Sequence, residues 1–328
     1  MATIRDIANL TGLSTATISR HMNNKPYVSK EAQRAIERAV TRLDYRPNAA
    51  AQSLKSGKTG RVVVVLDRVD HSFYGPLLAG LGDIARRHSY ELLVQQSGAP
   101  QWSPHLVVEQ ARARSMDGII TTVDSTEPEA LLSLVGAIPI VACDQALFGA
   151  DCPHVYIDHY KSTIEGLEHL HERGAKTIAG VYGYDPSCGS NRFRRKAYAD
   201  FGMRDRAPVI HQIAGEDDEV TDGAALLDRI MALSPRPDAI FTGGDEVALG
   251  LLAAANKAGI SVPSELAILG FDDRPIAEVF GISTIRQPVR RMGQYAMATL
   301  LRLIAAGDRA PAPKTTVVKH RLVVRSTT

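Results

Sequence analysis

Residues 3–22, TIRDIANLTGLSTATISRHM, divide into two short helical patterns around a glycine. Thr3 to Thr11 reads as one helix, Gly12-Leu13 as a turn, and Ser14 to Met22 as a second helix. Thr3 with Asp6 resembles a capping box, Ser14 is a natural N-cap and Gly12 a natural helix stop, so the helix ends are specified locally. At about 100° per residue, Ile18 and Met22 share one side of the second helix with Ser14, whereas Thr15, Ala16, Ser19 and Arg20 fall on the other. Side chains this short let a helix backbone approach the major groove of DNA, while one arginine reaches a base edge. Taken alone, the pattern also fits an ordinary helical hairpin with a solvated polar face.

The next segment removes that ambiguity. Ser29 caps a third helix with apolar positions Ala32, Ala35, Ile36, Ala39, Val40 and Leu43, and its other face carries Lys30, Arg34, Arg38 and Arg42. Tyr45 to Gly57 follows as YRPNAAAQSLKSG. Pro47 stops what precedes it, Asn48 can cap and Gly57 can terminate, which leaves a helix-prone stretch of about two turns. Isolated helices that short are marginal in water, so this one is expected to order only when docked.

In these strings the chain resembles the lactose repressor and galactose repressor family of bacterial transcription regulators. The resemblance rests on Thr3-Ile4-Arg5-Asp6-Ile7-Ala8, Ser14 to Arg20, Asn23, and Tyr45-Arg46-Pro47-Asn48-Ala49-Ala50-Ala51. It implies that Thr15, Ala16 and Arg20 read bases and that Thr17, Ser19 and Asn23 hold phosphates. Further DNA contacts are implied for Thr3, Ser14, Tyr45, Asn48, Ala51 and Gln52. Leu54 is implied as an apolar wedge in the minor groove, where unstacking a step bends the duplex and widens the contact; its alternative is a linker residue packed on the larger domain. His21 departs from the small aliphatic residue usual in the family, and either reaches a phosphate or covers the inner helix.

Charge is partitioned along the chain. Residues 1–60 hold ten Lys and Arg against four Asp and Glu, a local +6, and the remainder carries −4 within a total of +2. Basic charge is thus concentrated where the groove-reading elements lie, and counterion release makes such binding steeply salt-dependent. The hydrophobic content of 45% over 328 residues allows a sizeable core and at least two domains. No stretch approaches a membrane span and no signal peptide opens the chain, so a cytoplasmic location is expected. Cys143, Cys152 and Cys188 lack metal-ligand spacing and suit free thiols; neither metal nor cofactor is expected.

From Gly60 onward, short β-rich runs alternate with helical patterns. Strands are predicted over residues 61–66, 90–95, 118–122, 138–142, 177–182, 209–213, 239–242 and 266–271, with helices such as 74–88, 161–173, 223–233 and 246–258. Alternation of this kind means parallel sheets covered by helices, an α/β core, and this many strands need two sheets. The expected organisation is a helix-turn-helix headpiece over 1–46, a hinge over 47–59 and a core over 60–328. By resemblance the core is periplasmic-binding-protein-like, with an N-lobe of about 60–158 and 289–318 and a C-lobe of about 159–288 and 319–328, crossing near Asp158, Gln287 and the last strand.

Ligands of open α/β sheets sit at the carboxyl ends of the strands. Asp70, Phe73 and Tyr74, Asp144 and Gln145, Arg194, Asp245 and Asp272 all follow predicted strands and form the candidate effector site. The resemblance singles out Arg194 and Asp272 as contacts to effector hydroxyls. Arginine's donor fork and aspartate's acceptors suit a polyol, and carbohydrate is the family's commonest effector. Alternatives stand beside these readings: Arg192 or Arg195 for Arg194, a helix cap for Asp245, core for Phe73, and hinge, cap or ligand contact for Asp158. His71-Ser72 stands where the family usually has Asn-Pro, which puts the aromatic contacts of that loop in question.

An enzyme is disfavoured by the absence of a P-loop, HExxH, GxSxG or Cys-His pattern, and a transport-type binding protein by the attached basic reader. The expectation is a homodimeric regulator, more a repressor than an activator, on near-palindromic operator DNA. Effector identity, inducer or corepressor action, and operator sequence are not legible.

Overall fold

The computed structural model describes residues 2–22, 26–45, 57–97, 102–123, 128–144, 151–182, 189–214, 222–307 and 314–328. Two compact units divide at residue 59. Of the expected site residues, Asn23, Asn48, Ala51, Gln52, Leu54 and Gln145 lie outside the described residues.

The first unit contains α1 (Ile4–Thr11), α2 (Thr15–Met22) and α3 (Lys30–Arg42). The Thr3 side chain accepts from the Asp6 backbone while the Asp6 carboxylate accepts from the Thr3 N–H and hydroxyl, both at 2.8 Å, which completes the capping box. Gly12 stops α1 with φ of 69°, a left-handed conformation that costs glycine nothing. Ile7, Ile18, Ile36 and Ala39 form a small buried core, one apolar row from each helix.

The second unit is a two-lobed α/β structure. Its N-lobe sheet has the order β11-β5-β4-β3-β1-β2, built from β1 (Arg61–Leu66), β2 (Glu91–Gln96), β3 (Gly118–Thr121), β4 (Ile140–Cys143), β5 (His154–Tyr156) and β11 (Thr316–Val317), all pairs parallel. The C-lobe sheet has the order β12-β10-β9-β8-β6-β7, from β6 (Thr177–Tyr182), β7 (Val209–Ala214), β8 (Ala239–Phe241), β9 (Ala267–Asp272), β10 (Ser283–Arg286) and β12 (Arg321–Val323). Only β12, at the edge, runs antiparallel to its neighbour. The central strands are buried on both faces, which is why their sequences read as continuous Val, Ile and Leu.

The helices of the N-lobe are α4 (Tyr74–Arg87), α5 (Pro104–Arg112), α6 (Pro128–Leu132) and α12 (Val289–Ala306); those of the C-lobe are α7 (His159–Glu172), α8 (Gly189–Gly202), α9 (Gly223–Met231), α10 (Asp245–Lys257) and α11 (Pro275–Val279). Helices α4 and α12 meet backbone to backbone. A Cβ on Gly80 would stand 2.0 Å from the Arg290 carbonyl oxygen, and one on Gly293 would stand 2.3 Å from that of Leu77. The chain passes between lobes three times, from β5 into α7, from β10 into α12 and from β11 into β12. The strand order reverses at β1 in one sheet and at β6 in the other, away from the edge where the chain crosses, and the carboxyl ends of β4 and β9 supply the residues of the site described next.

Candidate functional site

On the first unit, Thr15, Ala16 and Arg20 project from α2 as exposed side chains, while Ser19 is half-buried and Ile18 sits in the core. The Ser14 hydroxyl accepts from the Thr17 N–H at 3.2 Å and shares a 2.9 Å hydrogen bond with the Thr17 hydroxyl, fixing the start of the helix. Thr3 is exposed at the start of α1. Tyr45 is half-buried and packs against the small core, so its ring supports the unit. His21 stands beside α3, with Nε2 3.8 Å from Glu37 Oε1. Lys30, Arg34, Arg38 and Arg42 are exposed along α3.

Within the second unit, Asp144, His159 and Arg194 form a line across the two lobes. Asp144 follows β4 of the N-lobe, and its Oδ1 lies 2.8 Å from His159 Nε2, on the first turn of α7 in the C-lobe. Arg194, from α8, donates its Nε–H to His159 Nδ1 at 3.4 Å and an Nη1 hydrogen to the Gly243 carbonyl at 2.9 Å. The Phe271 ring carries this pair: the guanidinium carbon lies 3.8 Å from its centroid, and the imidazole stacks on it at 5.8 Å and 19°. Burial holds His159 below the ordinary histidine value in spite of Asp144, and Arg194 lowers it further. Burial opposes ionisation of Asp144, but His159 and then Arg194 hold the carboxyl below its usual range. Neutral imidazole between carboxylate and guanidinium is the consistent reading.

Arg194 is buried whereas Arg192 and Arg195 are exposed, so it is the arginine of the three that turns into the lobe. Asp272, the last residue of β9, is 8% exposed and takes hydrogen bonds from Gln287 Nε2 and from Arg274 Nη2, the latter at 3.4 Å. Its φ is 105° and that of Asp273 is 59°, a strained pair of non-glycine residues of the kind that clusters at binding sites. Beside it, Arg274 Nε and Gln287 Oε1 are buried without a hydrogen-bond partner among the described residues. An orphaned buried polar atom costs about 1–3 kcal/mol, so these two atoms are poised for a polar guest.

Three of the expected contacts are engaged within the chain itself. Asp245 is fully buried; its carboxylate accepts from the Thr284 hydroxyl and the Arg274 N–H, each at 2.6 Å, and so ties β10 and the start of α11 to α10. It neither caps a helix nor faces outward, and burial pushes its carboxyl up to about 7. Phe73 belongs to the hydrophobic core, 6% exposed, with Tyr74 edge-on to its ring at 5.4 Å. Asp70 is exposed and gripped by the Arg68 fork at 2.9 and 3.1 Å, which spends its oxygens on the loop itself. Tyr74 is half-buried, its phenol pushed up by burial and hydrogen-bonded to Thr122. Asp158 caps α7 through the Lys161 N–H at 3.0 Å.

Sequence reading passed over His159, Arg274 and Gln287 as polar site residues. The signal for His159 was its place immediately after Asp158, at a lobe crossing and the end of a strand. That strand, β5, is only three residues long and shows no periodicity to read.

Among the described residues, no helix is long and apolar enough to cross a membrane, and no cluster of three or more metal-ligating side chains occurs.

Residues 3–48 match the family described as bacterial regulatory proteins, lacI family, and residues 167–328 match the periplasmic binding protein-like domain. The chain is 31% identical over 333 residues to the NTD biosynthesis operon regulator NtdR of Bacillus subtilis (strain 168), with 100% of both chains covered. It is 29% identical to catabolite control protein A of Priestia megaterium, with 91% of each chain covered. In fold it is similar to the lac repressor dimer solved with operator and the anti-inducer ONPF, at a TM-score of 0.85 and 23% identity, over 99% of this chain and 98% of that one.

Proposed function

The chain belongs to the lacI family of bacterial regulatory proteins, and on that footing we propose that it is a dimeric repressor of transcription whose grip on near-palindromic operator DNA is controlled by a carbohydrate bound between its two core lobes. The family consists of DNA-binding transcription regulators, not enzymes. The observation that carries the finer reading is the line from Asp144 through His159 to Arg194, which joins the lobes where a ligand of this fold would lie.

The site's chemistry supports a polyol. Arg194 presents the rest of its donor fork, Asp144 and Asp272 present acceptors, and Tyr74 supplies aromatic surface for a sugar ring. On the DNA side, Thr15, Ala16 and Arg20 are the base readers, with Thr17 and Ser19 on phosphates and Thr3 and Ser14 at the helix starts. Two readers related by a dimer axis impose two-fold symmetry on the site.

Control follows from differential affinity. An effector that closes the lobes moves the N-lobes of the dimer relative to each other and so alters how residues 47–59 engage the minor groove. By linkage, operator must change effector affinity by the same factor. The test compares the full chain with residues 60–328 alone, using calorimetry against a panel of mono- and disaccharides and a DNA mobility assay. Retention of sugar binding with loss of DNA binding is expected of the shorter chain. Equal sugar affinity with and without operator contradicts the coupling.

A further inference from the structure

We propose that His159 is the positioning residue of the interlobe cleft: as a neutral imidazole it joins Asp144 of one lobe to Arg194 of the other, and on protonation it keeps Asp144 and releases Arg194. The argument is one of valence. A guanidinium has only donors, so the Arg194 Nε–H can meet His159 Nδ1 only where that nitrogen is bare. An ionised carboxylate has only acceptors, so the Asp144 contact at 2.8 Å needs a hydrogen on Nε2. A single tautomer satisfies both neighbours, and it is the neutral one.

A second proton would arrive on Nδ1, facing the Arg194 Nε–H. Two donors then oppose each other at 3.4 Å, and two positive charges share the Phe271 ring. The Asp144 contact becomes an ion pair and strengthens. Arg194 retains its hydrogen bond to the Gly243 carbonyl but loses the second anchor that fixes the guanidinium plane.

The charged groups around the imidazole come from every element packed on it. Asp144 follows β4, Arg194 stands on α8 and Asp272 ends β9; His71, ahead of α4, acts on Asp144, and Asp158 and Lys161 flank it on its own helix. With the His159 side chain 1% exposed, water does not replace either contact at low cost. Burial and Arg194 lower its pKa against the pull of Asp144, which puts the release on the acid side of the ordinary histidine value.

The functional meaning of this relay rests on the cleft being the effector site, but its test does not. The full chain, labelled with 15N in histidine and arginine and free of effector, is followed by NMR as pH falls, with H159Q and R194K used to assign the peaks. Near neutral pH the expected His159 signals are a protonated Nε2 and a bare Nδ1. On acidification Nδ1 gains its proton, and the Arg194 Nε–H loses exchange protection at the same midpoint. D144N is expected to move that midpoint lower, since it removes the carboxylate that favours the charged ring. A hydrogen on Nδ1 at neutral pH, or an Arg194 Nε–H whose shift and exchange do not change as His159 titrates, overturns the proposal. A failure to bind sugars leaves these outcomes untouched, so the two readings fail separately.

Discussion

The guanidinium of Arg194 lies flat over Phe271, 3.8 Å from guanidinium carbon to ring centroid, while its Nε and Nη1 hydrogens are directed to His159 and Gly243. Stacking fixes the plane of the fork, and the two hydrogen bonds fix its rotation within that plane. Lysine can supply the charge but neither the plane nor the fork. R194K and R194A are therefore expected to bind DNA as wild type does and to lose the response to whichever carbohydrates act on wild type. A full response in R194A, read by titrating those sugars into the protein–DNA complex, contradicts the assignment of the site.

Arg20 is the long cationic side chain on the exposed face of α2, among short neighbours. Its replacement by alanine should cost about 1–3 kcal/mol on the preferred site and relax the choice of base where it reaches. Competition between the preferred sequence and its single-base variants measures this. A uniform loss across all variants would mean that Arg20 holds phosphate.

The N-lobe depends on the closeness of α4 and α12. G293A places a methyl carbon 2.3 Å from the Leu77 carbonyl oxygen, so the helices must part, at a cost of about 1–3 kcal/mol or more. G82A, on the partner helix α4 with nothing within 4 Å, should instead be neutral or gain up to about 1 kcal/mol. Thermal unfolding of the two variants checks the contrast.

Asp245 carries the clearest pH signature of the C-lobe. Burial raises its folded-state pKa to about 7, whereas the unfolded carboxyl titrates near its ordinary value. Between those two values the folded chain holds a proton that the unfolded chain has lost. Its contribution is thus fully present below the unfolded pKa and is lost as pH rises toward 7. Denaturant unfolding at pH 5 and pH 8 should show wild type losing more stability than D245N over that interval. Equal losses would indicate that the carboxyl ionises in the fold at little cost.

The readable parts of the chain were those in which local chemistry decides structure. Thr3, Asp6, Gly12 and Ser29 specify helix ends through contacts within a few residues, and the expected caps stand where their chemistry puts them. The buried strands β1, β3, β4 and β6 announce themselves as apolar runs because both faces are covered. Strands β5 and β10 were not legible, since HVY and STIR each hold a single aliphatic residue and do not stand out as apolar runs. Helix α8 was hidden as well: it opens on Gly189-Ser190-Asn191 and is rich in cations, and its buried side comes from Arg194, Ala197, Tyr198 and Phe201 packed on the sheet. The site residues divide the same way. Arg194 and Asp272 stand in recognisable strings, whereas the inward turn of Asp245 and the bridging role of His159 depend on partners distant in sequence, Thr284 and Asp144 among them.

Selection of bound duplexes from a random DNA library by the full chain, at two salt concentrations, addresses the central reading most directly. A near-palindromic consensus, with binding that falls steeply at the higher salt, is the expected outcome, because two basic readers on a two-fold axis displace counterions from both half-sites. Enrichment of no sequence at either salt, with and without the sugar panel present, contradicts a sequence-specific regulator.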